Sequence, residues 1–307
     1  MTPQNTRAAI WLMIGAATIF AAQDGISRHL AETYNLWIVV MIRFWVFAAF
    51  VLVLAARAPG GLRAAARTEF PKLQLARGVI LVVEIWVMVL AFTKLGLIES
   101  HAVFTIYPLL VAALSGPILG EKVGWRRWAA IGAGFCGVLI ILNPGEGVVS
   151  PWALVPLVAA AMYAVYSLLT RYVARRDAAS VSFFWTGIVC AVVSTPLGLW
   201  HWQGMTLPDW GLMAALCVMG LAGHWAQIRA YALAEASTIQ PFVYFQLVVV
   251  SAIGLVVFHE VLRPNVVIGA GIVVAAGLFT LWRQRVRAKA ELARHRASSV
   301  AAKALGD

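Results

Sequence analysis

The chain has 307 residues, of which 62% are hydrophobic and only 12% are charged, and its formal net charge at pH 7 is +11. Soluble globular domains are about half apolar and about a quarter charged, so this composition excludes an ordinary soluble protein and predicts a multi-pass membrane protein. Ten helices of about 20 residues would use about 200 residues and leave no room for a sizeable soluble domain.

Apolar segments predict ten membrane-spanning helices, and turn residues such as Asn143-Pro144-Gly145 and Pro264-Asn265 separate most of them. The first segment lacks a clear signal-peptide cleavage site, so we interpret it as a retained span. The chain is therefore predicted to be an all-α membrane protein. The predicted spans are residues 8–28, 36–56, 76–96, 99–119, 126–143, 151–171, 180–200, 211–233, 238–258 and 265–282.

Two segments of the chain resemble each other. Residues 78–142 align without a gap with residues 217–281, and this alignment pairs Trp86 with Trp225. Each copy is predicted to hold five spans, and an odd number of spans turns the second copy upside down in the bilayer. Such inverted repeats are common in secondary transporters. We expect a first five-helix repeat at residues 1–145, a second, inverted repeat at residues 146–283 and a basic cytoplasmic tail at residues 284–307.

The positive-inside rule gives the expected orientation. If the N-terminus is cytoplasmic, most of the 24 lysines and arginines fall in cytoplasmic segments, and only Arg28, Lys94 and Arg263 fall in loops on the other side. Both termini are therefore predicted to be cytoplasmic, in a bacterial-type inner membrane. The basic segments would face anionic lipid headgroups, which explains the net charge without a nucleic-acid partner.

Polar side chains inside spans are costly in lipid, so they are candidates for a solute pathway. Several share a helix face because they lie three or four residues apart, as Tyr163 and Tyr166 do, and as His224 and Gln227 do. Hydrogen bonding between helices without any solute contact is the alternative for each of them. The predicted pathway residues are Gln23, Trp86, His101, Tyr107, Tyr163, Tyr166, His224, Gln227, Tyr231 and Gln246.

Charged residues and a proline suggest how a pathway could be gated. Arg43 and Glu84 are the deepest charges and are expected either to form an ion pair or to serve as a gate, with Glu84 as a proton-coupled carboxylate. Pro108 removes a helix hydrogen bond and is the predicted hinge of the fourth span. Asp24 and Arg28 are spaced to pair within one helix.

Glu121 and Glu260 end the fourth and ninth spans. Each precedes another helix, so capping the next helix N-terminus is one interpretation, and gating is the other. Trp86, Trp185 and Trp225 lie deeper than the other tryptophans, where they would either line a cavity or simply pack.

Motifs for other functions are missing from the sequence. Cys136, Cys190 and Cys217 fall in apolar stretches without metal-ligand spacing, so neither a metal site nor a disulfide is predicted. There is no GxxxxGK[ST] motif for ATP and no cluster of catalytic groups near one interface. We therefore expect no enzyme and no cofactor.

Glycines, a proline and glutamates recur in both copies. The first copy has Pro108, the Gly120-Glu121 pair and three glycines in the fifth span, and the second has Glu260 and a similar glycine run. On these residues the chain resembles EamA-type members of the drug/metabolite transporter superfamily. It departs from their pattern at Leu247, where a proline matching Pro108 is expected, and at His259, which replaces a glycine. The glycines in question are Gly132, Gly134, Gly137, Gly269, Gly271 and Gly277.

The resemblance implies ten helices in two inverted halves, a central cavity and export of small metabolites by alternating access. Within the superfamily the chain is most similar to bacterial amino acid exporters of the YddG type. The leading hypothesis is therefore a transporter that exports amino acids, neutral or aromatic, or related metabolites. The alternatives are a carrier of nucleotide sugars or other metabolites with the same fold and, from another class, a membrane enzyme or scaffold. Its partners would be an amino acid-like solute and membrane lipids, and a monomer would suffice.

Overall fold

The computed structural model describes residues 6–120, 124–142, 151–233 and 239–304. Within these residues the chain is helical and has no strand. Twelve α-helices are numbered here in chain order. They are α1 (Thr6–Thr33), α2 (Leu36–Arg57), α3 (Gly61–Ala66), α4 (Pro71–Leu95), α5 (Leu97–Phe104), α6 (Tyr107–Leu119), α7 (Trp125–Leu142), α8 (Val155–Val173), α9 (Ala179–Trp200), α10 (Leu207–Leu233), α11 (Phe245–Val256) and α12 (Pro264–Ala304).

The predicted all-α membrane architecture is confirmed. Eight helices in the described residues are long and apolar enough to cross a membrane, and Pro241–Val256 is a shorter apolar helix. The eighth predicted span lies within α10, which has 27 residues. The structure thus shows a multi-pass membrane protein, although it does not fix the number of spans at ten.

The fourth predicted span is broken in the middle. It consists of α5 and α6, which are separated by a turn at Thr105 and Ile106. Pro108 stands in the first turn of α6, where its missing N–H is tolerated. The ninth predicted span is also irregular, because a 3₁₀ helix at Gln240–Tyr244 precedes α11. The second break forms without a proline at Leu247.

Helix pairs join the two predicted halves. α1 packs along α10 and α11, α2 along α9, and α4 against α8 and α9, while α7 packs along α12. The α7–α12 contact is especially close, because a Cβ on Gly137 would lie 2.7 Å from the carbonyl oxygen of Gly269. Small residues allow this backbone approach in membrane helices.

The bundle has two ends, which we name after their most connected carboxylates. The Glu260 end contains the last turns of α1, the start of α5 and the residues after α11. The Asp177 end contains the start of α4 and the connection between α8 and α9. α4 runs from one end to the other over about 35 Å.

Candidate functional site

A continuous row of aromatic rings crosses the interior of the bundle. We call it the aromatic ladder. Neighbouring ring centroids are 4.9–6.3 Å apart, which is the range in which aromatic pairs attract. Its members, in order, are Phe92, His101, Phe104, Tyr107, Tyr163 and Tyr166.

The ladder connects the two ends of the bundle. It starts at Phe92, near the Glu260 end of α4, and finishes where the guanidinium of Arg77 lies 5.2 Å from the Tyr166 ring. Phe92 and Arg77 are separated by about 22 Å along α4. Phe104, Tyr107, Tyr163 and Tyr166 are only partly buried. Four of the predicted pathway residues therefore belong to the aromatic ladder, namely His101, Tyr107, Tyr163 and Tyr166.

Asp24 lies where three helices meet, and the sequence prediction for it was wrong. Its Oδ2 accepts a hydrogen bond of 3.1 Å from Gln246 Nε2 and lies 3.2 Å from His101 Nε2. The expected pair with Arg28 is not made, because Arg28 binds Glu32 and Glu260 instead. Asp24 thus brings the predicted residues His101 and Gln246 to one point, on α5 and α11.

Arg43 and Glu84 are both deep in the bundle but do not form the expected direct ion pair among the described residues. Arg43 instead lies within longer-range electrostatic reach of both Asp24 and Glu84. Glu84 is 4% exposed. Asp24, Arg43 and Glu84 are therefore charged groups in this part of the interior, without a direct salt bridge between Arg43 and Glu84.

His224 lies in a separate aromatic group, which it forms with Phe20 of α1 and Phe47 of α2. Its ring centroid is 5.2 Å from that of Phe20 and 6.2 Å from that of Phe47. Gln227 is partly buried on the same helix. Tyr231 belongs to α10, but its side chain lies outside what the structure describes. The predicted α10 stripe therefore does not contact the aromatic ladder through any described ring pair.

Gln23 is buried and Trp86 is partly buried, and the buried Gln23 Oε1 and Trp86 Nε1 atoms have no hydrogen-bond partner among the described residues. Trp86 packs edge-on against Trp37, at a centroid distance of 5.1 Å, and not against the ladder. Its counterpart in the second copy, Trp225, is 61% exposed on the outside of the bundle, so it does not line a cavity. Trp185 donates to the carbonyl of Ala66.

Glu260 caps a helix of the other half. Its two carboxylate oxygens accept hydrogen bonds from the backbone N–H groups of Leu97 and Ile98, at 2.7 and 2.9 Å, and it also binds Arg28. The alternative that it caps the helix following it is therefore wrong, because the capped helix is α5. Glu121 lies outside the described residues.

The Asp177 end contains a buried polar network that the sequence did not reveal. Asp177 accepts hydrogen bonds from Thr68 Oγ1, the Glu69 N–H and Gln74 Nε2. Burial raises the pKa of Asp177, but these hydrogen bonds outweigh it and hold the pKa below its usual value. The network ties the start of α4 to the α8–α9 connection.

Arg77 continues this network toward the ladder. It lies inside α4 and is 2% exposed. Its guanidinium donates to Thr170 on α8, at 2.8 Å, and to Gln74. The spacing of Gln74 and Arg77 on one helix face was the signal that could have placed them together.

No set of three or more histidines, cysteines or acidic residues in the described ranges could hold a metal ion. The site contains aromatic ring surfaces and interior charged groups of both signs. At each end of the bundle a carboxylate accepts hydrogen bonds from a neighbouring helix. These features suit binding and passage of a solute.

Comparisons with known proteins agree with this geometry. The model of the EamA-like transporter family matches residues 7–143 and 150–282. A protein of Vibrio cholerae named riboflavin transporter is 29% identical over 90% of this chain and 94% of its own length. A protein of Rickettsia prowazekii named S-adenosylmethionine uptake transporter is 24% identical over 90% of this chain and 92% of its own.

A more distant relative, named pseudopaline exporter in Pseudomonas aeruginosa, is 22% identical over 88% of this chain and 94% of its own. A solved chain described as "crystal structure of protein" overlays with a TM-score of 0.59. It covers 93% of this chain and 99% of its own at 18% identity, which supports the fold alone.

Proposed function

Because the chain belongs to the EamA-like transporter family, we propose that it carries a small metabolite with a flat ring system along the aromatic ladder. It is a membrane transporter rather than an enzyme. The observation that carries the proposal is the partly buried row of rings, since stacked aromatic surfaces bind flat solutes with little regard to their polar groups.

The names of the relatives point to the same class of solute. Riboflavin has a flat, nitrogen-rich ring system, and S-adenosylmethionine carries an adenine ring on an amino acid. Both would place a ring against the row formed by Tyr107, Tyr163 and Tyr166, with polar groups toward Asp24 and Arg43. We therefore propose a flavin-like or adenosyl-containing substrate.

Amino acid transport is the second candidate, and the interior charges favour it. Asp24 and Glu84 suit an ammonium group, and Arg43 suits a carboxylate. The comparisons name no amino acid exporter among the relatives described above, and those relatives include both an uptake transporter and an exporter. Export of amino acids thus remains a prediction.

The test is transport by the purified protein in proteoliposomes. Labelled riboflavin, S-adenosylmethionine, tryptophan and alanine would be compared, each with and without an imposed pH gradient and with both directions of substrate gradient. We expect saturable flux of a ring-containing substrate, with competition among the ring compounds. Flux of small aliphatic amino acids without any for riboflavin or S-adenosylmethionine would overturn the first candidate and support the second.

We also propose that both termini are cytoplasmic, as the distribution of lysines and arginines predicts. Reporter tags fused to each terminus in bacteria would test this. Tags on opposite sides of the membrane would contradict both the orientation and an even number of spans.

A further inference from the structure

The short helix α5 packs in the core of the bundle, but the backbone is irregular at each of its ends. It has eight residues. At its start it is joined to α4 by Gly96 alone, whose φ of 89° is readily adopted only by glycine. At its other end, the turn at Thr105 and Ile106 separates it from α6. Since residues at the ends of helices absorb most hinge motion, α5 has a hinge on each side.

Glu260 holds the start of this helix. Its carboxylate accepts hydrogen bonds from the N–H groups of Leu97 and Ile98, which have no partner within the first turn of the helix. Its negative charge lies at the helix N-terminus, where the helix dipole favours it. Two glycines make room for the carboxylate, because a Cβ on Gly254 would lie 2.9 Å from Glu260 Oε2 and one on Gly96 would lie 3.1 Å from the same atom. The contact is therefore closely fitted.

The backbone before Glu260 is also shaped for this contact. His259 is the one non-glycine residue with a positive φ in the described chain, at 54°. That conformation costs free energy and persists where surrounding contacts require it. The Glu260 N–H is in turn fixed by the Gly254 carbonyl, at 2.9 Å. The position of the carboxylate is thus set by its own loop, which belongs to the second predicted half.

α5 carries two residues of the candidate site. His101 lies beside Asp24, and Phe104 contacts both Tyr107 and Tyr163 in the ladder. A movement of α5 about its two hinges would therefore separate His101 from Asp24 and interrupt the ladder. It would also open the Glu260 end of the bundle.

We propose that α5 is a gate of the transport pathway and that Glu260 is the positioning residue that holds this gate closed. When the Glu260 carboxylate leaves the N-terminus of α5, the helix swings away and the pathway opens at the Glu260 end. Arg28 assists by binding the same carboxylate. This inference rests on the transport function proposed above but not on the identity of the substrate.

The test measures access to the gate without any substrate. A cysteine is introduced by Ser100→Cys on α5, where the native side chain is fully buried, in a chain whose native cysteines are replaced by alanine. A membrane-impermeant maleimide is then added to the Glu260 side or to the Asp177 side of vesicles. We expect Glu260→Ala to increase the labelling rate about tenfold from the Glu260 side only, since charge-assisted hydrogen bonds are lost.

Arg263→Ala is the matched control. Arg263 lies in the same loop as Glu260 and pairs with Glu99 of α5 at 3.5 Å, but its side chain is 66% exposed. We expect no change in labelling for this variant. An unchanged rate in Glu260→Ala, an equal rise from both sides, or an equal rise in Arg263→Ala would overturn the gate.

Two further variants separate gating from misfolding. Arg28→Ala leaves both backbone hydrogen bonds of Glu260 in place, so it should raise labelling less than Glu260→Ala does, and Arg28→Lys should restore part of the difference. If Glu260→Ala does not insert into the membrane, the variants Arg28→Ala and Arg28→Lys still test the gate. Unchanged labelling in Arg28→Ala would contradict the proposal. Labelling needs no transport, so it can succeed even if no tested solute is carried.

Discussion

The two ends of the bundle are joined by the same chemistry but hold different helices. At each end, one carboxylate from the second predicted half accepts hydrogen bonds from the first. Asp177 binds the start of α4, which has 25 residues. Arg77 on the same helix adds a hydrogen bond to Thr170 of α8. Glu260 holds α5, which has eight residues and a break on either side. The same kind of hydrogen-bonded carboxylate thus fixes the end of a long helix at Asp177. At Glu260 it holds a short helix with a hinge on each side, which can be released.

The largest effect is expected when the Asp177 carboxylate is removed. Asp177→Ala would leave the Thr68 hydroxyl, the Glu69 N–H and the Gln74 amide without their acceptor, so we expect the free energy of unfolding to fall by about 3 kcal/mol. Thermal unfolding of the purified protein in detergent would measure it. Glu260→Ala should destabilise the protein less. Equal losses of unfolding free energy in Asp177→Ala and Glu260→Ala would contradict the distinction between a fixed contact at Asp177 and a releasable one at Glu260.

The second test concerns the ladder between the two ends. Tyr163→Ala removes the ring that contacts Phe104, Tyr107 and Tyr166, so we expect KM for a ring-containing substrate to rise about tenfold. Tyr163→Phe keeps the ring and is the control. Proteoliposome flux would measure both, and unchanged transport in Tyr163→Ala would remove the ladder from the pathway.

A third, smaller effect depends on pH at the Asp177 end. Because the pKa of Asp177 is lowered in the folded protein, its stabilising contribution is fully present above the unfolded pKa of about 3.9. It is lost as the pH falls through the folded pKa. The difference in melting temperature between the natural chain and Asp177→Asn should therefore shrink below about pH 4. A constant difference from pH 7 to pH 3 would show that the charge of Asp177 does not matter.

The smallest effect is expected at the surface of the same end. Arg176 and Glu69 form an ion pair at 2.9 Å, but both side chains are largely exposed. Exposed ion pairs contribute little, and Glu69→Ala keeps the backbone N–H that binds Asp177. We expect no measurable change in the melting temperature. A clear loss would mean that the network extends to the surface.

The sequence predicted the helical membrane architecture well because apolar length is a strong local signal. It also predicted that Tyr163 and Tyr166 lie together, since residues three apart share a helix face. It could not show which neighbouring helix that face meets. Asp24 illustrates this limit, because helical spacing favoured Arg28, while Arg28 has Glu32 at the same spacing and Asp24 points toward α5 and α11.

Arg77 and the second break escaped prediction for a related reason. An arginine this close to the start of a predicted span carries no local signal of burial. Its acceptors are Thr170 on α8, Thr186 on α9 and Gln74 on α4 itself, and they come together only in the folded bundle. The family pattern has a proline where this chain has Leu247, yet a 3₁₀ segment interrupts the ninth span at Gln240–Tyr244 without it. Long-range packing decides these features.

The contact between Tyr107 and Tyr163 has a consequence for how the molecule can move. These rings belong to different predicted halves, and they meet edge to face at 4.9 Å with an interplanar angle of 87°. An edge-to-face ring contact contributes only about 0.5–1.5 kcal/mol beyond the area that it buries. The ring contact itself therefore adds little resistance to a sliding motion of one half along the other.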